Sequence, residues 1–179
     1  MKKILIVMCG IPASGKSSVA EDLSAYLGDI PVISMDNIRK EWFGTRKCQD
    51  RGDEIYAQSI EDVLFAFEHY NVVIYDATNR TRKARKKVVK DIQKYYDCIT
   101  YCVFMNTDLD IALDRNSNRN EEEKVPSAVI HHMYDTLQPP TEEEKYFEEI
   151  YILTPKTLDT CGDMWYNVFV NQIKGDLKL

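Results

Sequence analysis

Residues 10–17 combine glycine, lysine and serine in a spacing suited to phosphate chemistry. They fit the motif Gly-x-x-x-x-Gly-Lys-Ser and follow a short apolar run. Glycines let consecutive backbone N–H groups face an anion, and the helix expected next adds its positive end. Lys16 would reach the β- and γ-phosphates, and the Ser17 hydroxyl would bind the Mg²⁺ that accompanies ATP. The predicted nucleotide contacts here are Gly10, Ala13, Ser14, Gly15, Lys16, Ser17 and Ser18.

An acid and an arginine follow the second apolar run. Asp36 comes directly after it, and Arg39 lies one helical turn later on the same face. In phosphoryl transfer the acceptor hydroxyl needs a base, and a charged acceptor needs a cation; Asp36 and Arg39 could supply both. Taken alone, a helix N-cap and a surface arginine would be the favoured interpretation. The phosphate motif therefore decides how this pair is interpreted.

A second acid, Asp76, ends the third apolar run. It could bind Mg²⁺ through water, as a Walker-B acid does, or brace Arg39 in a bidentate pair. Thr78 and Asn79 follow after Ala77, and with Asp36, Arg39 and Asp76 they form the predicted acceptor-binding set.

Two arginines lie one turn apart in a segment that predicts a lid, at about residues 115–125. Arg115 and Arg119 could close over the γ-phosphate and stabilise its charge in the transition state. The predicted catalytic residues are therefore Asp36, Lys16, Arg119 and Arg39.

The apolar runs predict the elements that position these side chains. Strands are expected at residues 4–9, 32–34, 72–75, 99–104 and 150–153, and helices beginning near 15, 36, 53, 80, 107, 126 and 161. Alternating strands and helices indicate an α/β fold with a mainly parallel sheet. Because ligands bind at the carboxyl ends of such strands, the predicted site residues should share one rim.

Composition limits the function classes. The 179 residues suit one domain, 1–179, and no apolar run is long enough for export or a membrane span, so a cytoplasmic protein is expected. Five scattered cysteines indicate neither zinc nor a disulfide framework. The net charge of −6 argues against coating long nucleic acid. Residues 80–94 nevertheless hold eight basic side chains and one acid, an amphipathic helix whose basic face is either simply solvated or a polyanion track.

The motifs together resemble the kinase domain of bacteriophage-type polynucleotide kinases. The resemblance rests on the phosphate motif, Asp36-x-x-Arg39, Asp76-Ala-Thr-Asn79 and Arg115-Asn-Ser-Asn-Arg119 before Lys124-Val-Pro, and it extends from residue 2 to about 140. It implies a P-loop NTPase kinase-type fold with a five-stranded sheet and a helical lid. It also implies transfer of the γ-phosphoryl group of ATP, with Mg²⁺, to 5′-hydroxyl ends of DNA or RNA in end repair.

The resemblance assigns roles residue by residue. Lys16 and Ser17 would hold ATP and Mg²⁺, Asp36 would activate the 5′-hydroxyl, and Arg39 would contact the acceptor phosphate. Asp76 would steady Arg39, and Arg119 would be the more important lid arginine. Ala13 and Asn120 stand where relatives often have glycine, and no Asp-x-Asp-Gly-Thr phosphatase motif is present, so phosphatase activity is not expected.

Two alternatives remain open at this level. Neighbouring P-loop kinases share the Asp-x-x-Arg and Asp-Ala-Thr-Asn motifs, so the acceptor could be a small molecule or an aminoacyl-tRNA. A nucleotide-binding module without turnover is a different class, which acceptor-independent weak ATP hydrolysis would favour. The choice between DNA and RNA turns on contacts to a 2′-hydroxyl that the sequence does not locate.

Overall fold

A five-stranded parallel sheet forms the centre of the molecule. The computed structural model describes residues 2–46 and 50–177. The strand order is β2-β3-β1-β4-β5, and all four neighbouring pairs are parallel. The strands are β1 (Lys3–Cys9), β2 (Val32–Ser34), β3 (Val72–Asp76), β4 (Cys98–Met105) and β5 (Glu149–Leu153). The predicted α/β class and five-stranded sheet are confirmed.

Helices connect the strands. They are α1 (Lys16–Tyr26), α2 (Met35–Phe43), α3 (Gly52–His69), α4 (Arg82–Gln93), α5 (Leu109–Ser117), α6 (Ser127–Asp135) and α7 (Pro155–Leu177). The last begins at Pro155 and is interrupted at Cys161, which has the non-helical φ −139° and ψ 16°. The predicted helix start near Cys161 coincides with this kink, where the longer part of α7 begins, whereas the helical turns from Pro155 to Thr160 were not predicted. Within the described ranges, no helix is both long and apolar enough to cross a membrane.

Each face of the sheet is covered by a pair of helices. β1 is central and is buried from Ile4 to Cys9, because both of its faces are covered. Side chains alternate along a strand, so Ile4, Ile6 and Met8 pack with α1 and α7, whereas Leu5 and Val7 pack with α3 and α4. The loop after β1 is therefore attached to a rigid strand.

A smaller apolar cluster attaches the predicted lid to the phosphate loop. Ile11 packs against Ala112 of α5 and Ile130 of α6, and all three are buried. The lid segment lies between these two helices. The cluster therefore fixes both ends of the lid relative to the loop after β1.

The basic stretch forms α4 as predicted, but its interpretation as outer surface is wrong for Arg85. Arg85 is fully buried, and its Nε donates to Glu144 Oε2 at 2.9 Å. Its Nη1 donates to the carbonyl oxygens of Asn79 at 3.0 Å and Gln138 at 2.8 Å. Arg85 lies three and four residues before Val88 and Val89, so it shares their inward face.

Candidate nucleotide and acceptor site

The loop between β1 and α1 has the backbone shape of a phosphate cradle. Gly10 and Gly15 have φ of 145° and 102°, which side chains disfavour. A Cβ on Gly10 would lie 2.9 Å from the Met105 carbonyl oxygen, so a side chain does not fit there. Ala13 has φ 61°, the left-handed conformation at the position where relatives often carry glycine.

Lys16 and Ser17 open α1 beside this loop. Lys16 is buried, and its Nζ donates to the Ile11 carbonyl at 2.7 Å. Burial lowers the pKa of Lys16, and the charges of Asp76 and Asp36 partly oppose that shift. Both carboxylates therefore lie close enough to act on this ammonium group.

Asp76 lies at the carboxyl end of β3 and contacts the phosphate loop. Its Oδ2 accepts a hydrogen bond from Ser17 Oγ at 2.7 Å. This hydroxyl–carboxylate pair offers hard oxygen ligands of the kind Mg²⁺ takes. Among the described residues no group of three or more His, Cys, Asp or Glu side chains is placed to hold a metal ion.

Ser14 gives a second sign that the loop is shaped for a ligand. It is fully buried, and within the described part of the chain its Oγ has no hydrogen-bond partner. A buried hydroxyl without a partner is unfavourable unless a ligand or solvent satisfies it. The residues present therefore fit a bound phosphate with its Mg²⁺.

Asp36 and Arg39 form an ion pair on the first turn of α2. Arg39 Nη1 lies 2.6 Å from Asp36 Oδ1, and the two side chains are 14% and 65% exposed. Arg39 Nε is buried and has no partner among the described residues. The pair thus places a carboxylate that is open to solvent beside a guanidinium that is largely buried.

Two lid arginines face the phosphate loop. Arg115 Nη1 donates to the Ser14 carbonyl at 3.1 Å. Arg119 lines the same cavity as Ala13 and Gly15 of the loop, and its positive charge helps to lower the pKa of Lys16. Only residues 115–117 of the lid are helical, as the end of α5, and residues 118–125 form turns and irregular structure, unlike the helical lid that the resemblance implies. Glu123 in this segment contacts Arg46 at 3.3 Å. The structure thus brings the predicted lid arginines to the predicted phosphate site.

Thr78 and Asn79 support the loop from the neighbouring strand. The Gly10 amide donates to the Thr78 carbonyl at 3.0 Å, and Asn79 Nδ2 donates to the Met8 carbonyl at 2.8 Å. Asn79 is buried with φ 43°. Its side-chain amide is therefore engaged within the fold, between β3 and β1.

A cavity of about 730 Å³ extends from the phosphate loop to the break in α7. Sequence reasoning missed its far wall, because α7 follows the phosphate motif by more than a hundred residues and carries no motif of its own. Gly162 beside the break is the one local signal. The lining residues include Gly15, Ser18, Asp22, Arg115, Arg119, Cys161, Gly162 and Tyr166.

The chain is similar to known families and proteins. The AAA domain family matches residues 5–140. A fructose-2,6-bisphosphatase of Saccharomyces cerevisiae is 32% identical over 108 residues, which cover 50% of this chain and 24% of that protein. A bifunctional polynucleotide phosphatase/kinase of Schizosaccharomyces pombe is 23% identical over 168 residues, 90% of this chain and 37% of that protein. The chain therefore spans less than half the length of both relatives.

Solved structures share the fold. Kti12 of Chaetomium thermophilum, in complex with ADP-AlF3, has a TM-score of 0.72 at 15% identity, covering 94% of this chain and 96% of that one. A fungal RNA kinase has a TM-score of 0.63 at 18% identity, covering 86% and 74%. APS kinase of Mycobacterium tuberculosis, with AMPPNP and APS, has a TM-score of 0.66 at 19% identity, covering 97% and 98%.

Proposed function

The chain belongs to the AAA domain family, and we propose that this P-loop kinase transfers the γ-phosphoryl group of ATP to the 5′-hydroxyl of a DNA or RNA end. We further propose that it needs Mg²⁺ and acts in the repair of nucleic-acid ends. The family and the fold support a kinase, and the proposal adds the acceptor.

The Asp36–Arg39 pair carries the proposal. A kinase of hydroxyl groups needs a base beside the attacking oxygen, and Asp36 is an exposed carboxylate whose charge acts on Lys16. A polynucleotide end also carries a phosphodiester next to its 5′-hydroxyl. Arg39, whose guanidinium lies beside Asp36, is a cation suited to that phosphate.

Each residue of the site has a distinct role in the proposed reaction. Asp36 accepts the proton of the 5′-hydroxyl as that oxygen attacks the γ-phosphorus, and ADP leaves on the opposite side. When ATP binds, Lys16 gives up its hydrogen bond to the Ile11 carbonyl and contacts the phosphates instead. Arg119 adds positive charge from the lid. Ser17 and Asp76 would hold Mg²⁺, which when bound neutralises phosphate charge.

The cavity toward α7 is the proposed nucleoside site. It begins at Gly15, where the phosphates would lie, and ends at the break in α7. Its volume of about 730 Å³ is in the range of small-molecule and cofactor sites. Ser18 at the start of α1 and Tyr166 in α7 lie on its wall, so the donor would be held between the two helices of one sheet face.

One of the relatives supports a polynucleotide acceptor. The Schizosaccharomyces pombe relative aligns along 90% of this chain, beyond the phosphate loop into the acceptor and lid segments. The Mycoplasma capricolum adenylate kinase, 30% identical over 124 residues, favours a small acceptor, but it covers only 64% of the chain.

Transfer of labelled phosphate from γ-labelled ATP tests the proposal. The acceptors are matched 5′-hydroxyl DNA and RNA strands, a 3′-nucleoside monophosphate, sugars and mononucleotides. The proposal expects labelled 5′ ends, and it expects Asp36→Asn to lower kcat/KM by about 10²–10⁴-fold while ATP binding persists.

Asp110→Asn is the matched control, since Asp110 is also an exposed acid in the first turn of a helix. It removes the same charge and the same helix-dipole interaction. Label on a sugar or mononucleotide, with none on any strand, would make this a small-molecule kinase. Strand labelling that survives Asp36→Asn would remove Asp36 from its assigned role.

A further inference from the structure

A basic cleft lies on the side of the molecule away from the phosphate loop. The cleft has a volume of about 660 Å³ and lies between one ridge of α4 and the segment before β5. The start of β4 at Cys98 forms its floor, so the cleft reaches the amino edge of the sheet. The cations that line it are Lys2, Arg82, Lys86, Lys90 and Lys145, and the acids are Asp97, Glu143 and Glu148.

Neighbouring acids neutralise only part of this basic surface. Arg82 pairs with Glu143 at 3.0 Å, and on the adjoining ridge Lys87 and Lys94 both pair with Asp91. Lys86 and Lys90 are exposed, and no ion pair or hydrogen bond holds either ammonium group in the described ranges. Their charges are available to a ligand.

We propose that this basic cleft binds the phosphodiester backbone of the acceptor strand beyond its 5′ end. The inference rests on the proposed function and extends it, because it adds a second contact region outside the active site. Backbone phosphates are the ligand that a row of lysines without a base-reading pattern suits. Tyr146 on the opposite wall adds an aromatic side chain of the kind that stacks on bases.

The course of α4 connects the cleft with the active site. α4 follows Asn79 at the rim and runs back to the amino edge of the sheet, as a helix between parallel strands must. Arg82, Lys86 and Lys90 are four residues apart and share one ridge, which extends for about 12 Å. A strand that crossed the rim and followed α4 would meet Arg82 first and Lys90 last.

The overall charge favours one track over diffuse binding. The chain has a net charge of −6, so its charge as a whole repels a polyanion. A basic ridge that starts at the rim therefore directs the strand along one path. Short acceptors end before they reach Lys86, whereas longer ones gain its charge and that of Lys90.

Length-dependent binding and transfer test the inference with the double variant Lys86→Ala/Lys90→Ala. The probes are a 5′-hydroxyl dinucleotide and a fluorescent single strand of about 16 nucleotides. We expect the variant to weaken strand binding in anisotropy about tenfold and to raise the strand KM similarly, with dinucleotide transfer unchanged. Its plot of log affinity against log salt should be shallower by about 1.4, at about 0.7 for each lost phosphate contact.

The double variant Lys83→Ala/Lys94→Ala is the control. It removes the same charge from exposed positions of the same helix region that do not line the cleft. An equal loss in this control, or no loss in the cleft variant, would overturn the inference. If either of these results is obtained while dinucleotides and strands are still phosphorylated, the proposed function stands and only the assignment of the cleft is wrong.

Two further outcomes also overturn the inference. Anisotropy does not depend on turnover, so wild-type protein that binds no strand disproves the cleft even if no polynucleotide is phosphorylated. Binding of polyglutamate in place of the strand, lost in the cleft variant, would make the cleft a docking site for an acidic protein.

Discussion

Two arginine–carboxylate pairs in this molecule have the same chemistry and opposite surroundings. In the pair of Arg85 and Glu144 the side chains are 0% and 1% exposed, and Tyr146 also donates to Glu144. In the pair of Arg39 and Asp36 the carboxylate is 65% exposed. The first joins α4 to the segment before β5, and the second lies within one turn of α2.

Burial decides what each pair can do. The buried pair has its polar atoms committed to protein partners, so it specifies how two segments pack and is not available to a substrate. The exposed pair contributes little to stability, but it keeps an accessible carboxylate beside a guanidinium whose Nε has no partner in the part of the chain that the structure describes. A motif search finds the second pair, whereas only the packing of distant segments reveals the first.

The largest expected effect is on the stability of the protein, when the buried pair is broken. Arg85→Ala should lower the free energy of unfolding by about 3–5 kcal/mol, because it leaves the Glu144 carboxylate buried without its main partner. Arg39→Ala should lower it by less than about 1 kcal/mol. Urea denaturation measures both values.

The double variant Arg85→Met/Glu144→Gln checks the cause of that loss. It removes the buried charge as well as its partner, so its cost should be smaller than the sum of the two single costs. A loss below about 1 kcal/mol in Arg85→Ala would contradict the structural role assigned to the buried pair.

The next largest effect is on acceptor binding, which we assign to the exposed pair. Arg39→Ala should raise the acceptor KM by about 10–100-fold, since a hydrogen bond to a charged group contributes about 1.5–3 kcal/mol. Steady-state kinetics at saturating ATP would measure it. An Arg39→Ala enzyme with an unchanged acceptor KM and a lowered ATP affinity would move Arg39 to the donor side.

The next effect is the pH dependence of the stability that the buried pair contributes. Burial alone would raise the pKa of Glu144, but hydrogen bonds from Arg85 and Tyr146 hold it below its usual value of 4.5. A carboxyl whose folded-state pKa is depressed contributes stability above its unfolded-state pKa and loses it as the pH falls through the folded-state value. The stability difference between wild type and Glu144→Gln should therefore shrink below about pH 4.5.

Unfolding measured from pH 7 down to pH 3 tests that dependence. Glu142→Gln is the control, because Glu142 is an exposed acid in the same segment. A difference between wild type and Glu144→Gln that stays constant over this range would show that Glu144 has the same pKa in the folded and unfolded chain.

The smallest effect belongs to a third pair, in which both side chains are more than a third exposed. Arg46 and Glu123 are 36% and 39% exposed and connect the segment after α2 to the lid. Glu123→Gln should change the free energy of unfolding by less than about 1 kcal/mol, and the change should diminish at high salt. Thermal unfolding in low and high salt would show it, and a change above about 2 kcal/mol would break the ranking by burial.

Much of the fold and of the site could be predicted from local patterns. The strands follow from apolar runs, and the phosphate loop follows from glycine and lysine spacing, because both signals lie within a few residues. Asp36 and Asp76 could be placed on one rim since parallel strands end at the same edge. The sequence could not show that Arg85 is buried while its basic neighbours are exposed, because its partner Glu144 is distant in sequence.

The sequence by itself determined the α/β class, the phosphate motif and the candidate acids and arginines, since each depends on the identity and spacing of nearby residues. Tertiary structure alone decided that Asp76 contacts Ser17, that Arg85 is an internal brace and that α7 closes the cavity. It also decided which lysines of α4 face the cleft. The reason is physical: burial and pairing depend on segments that meet only after the sheet has formed.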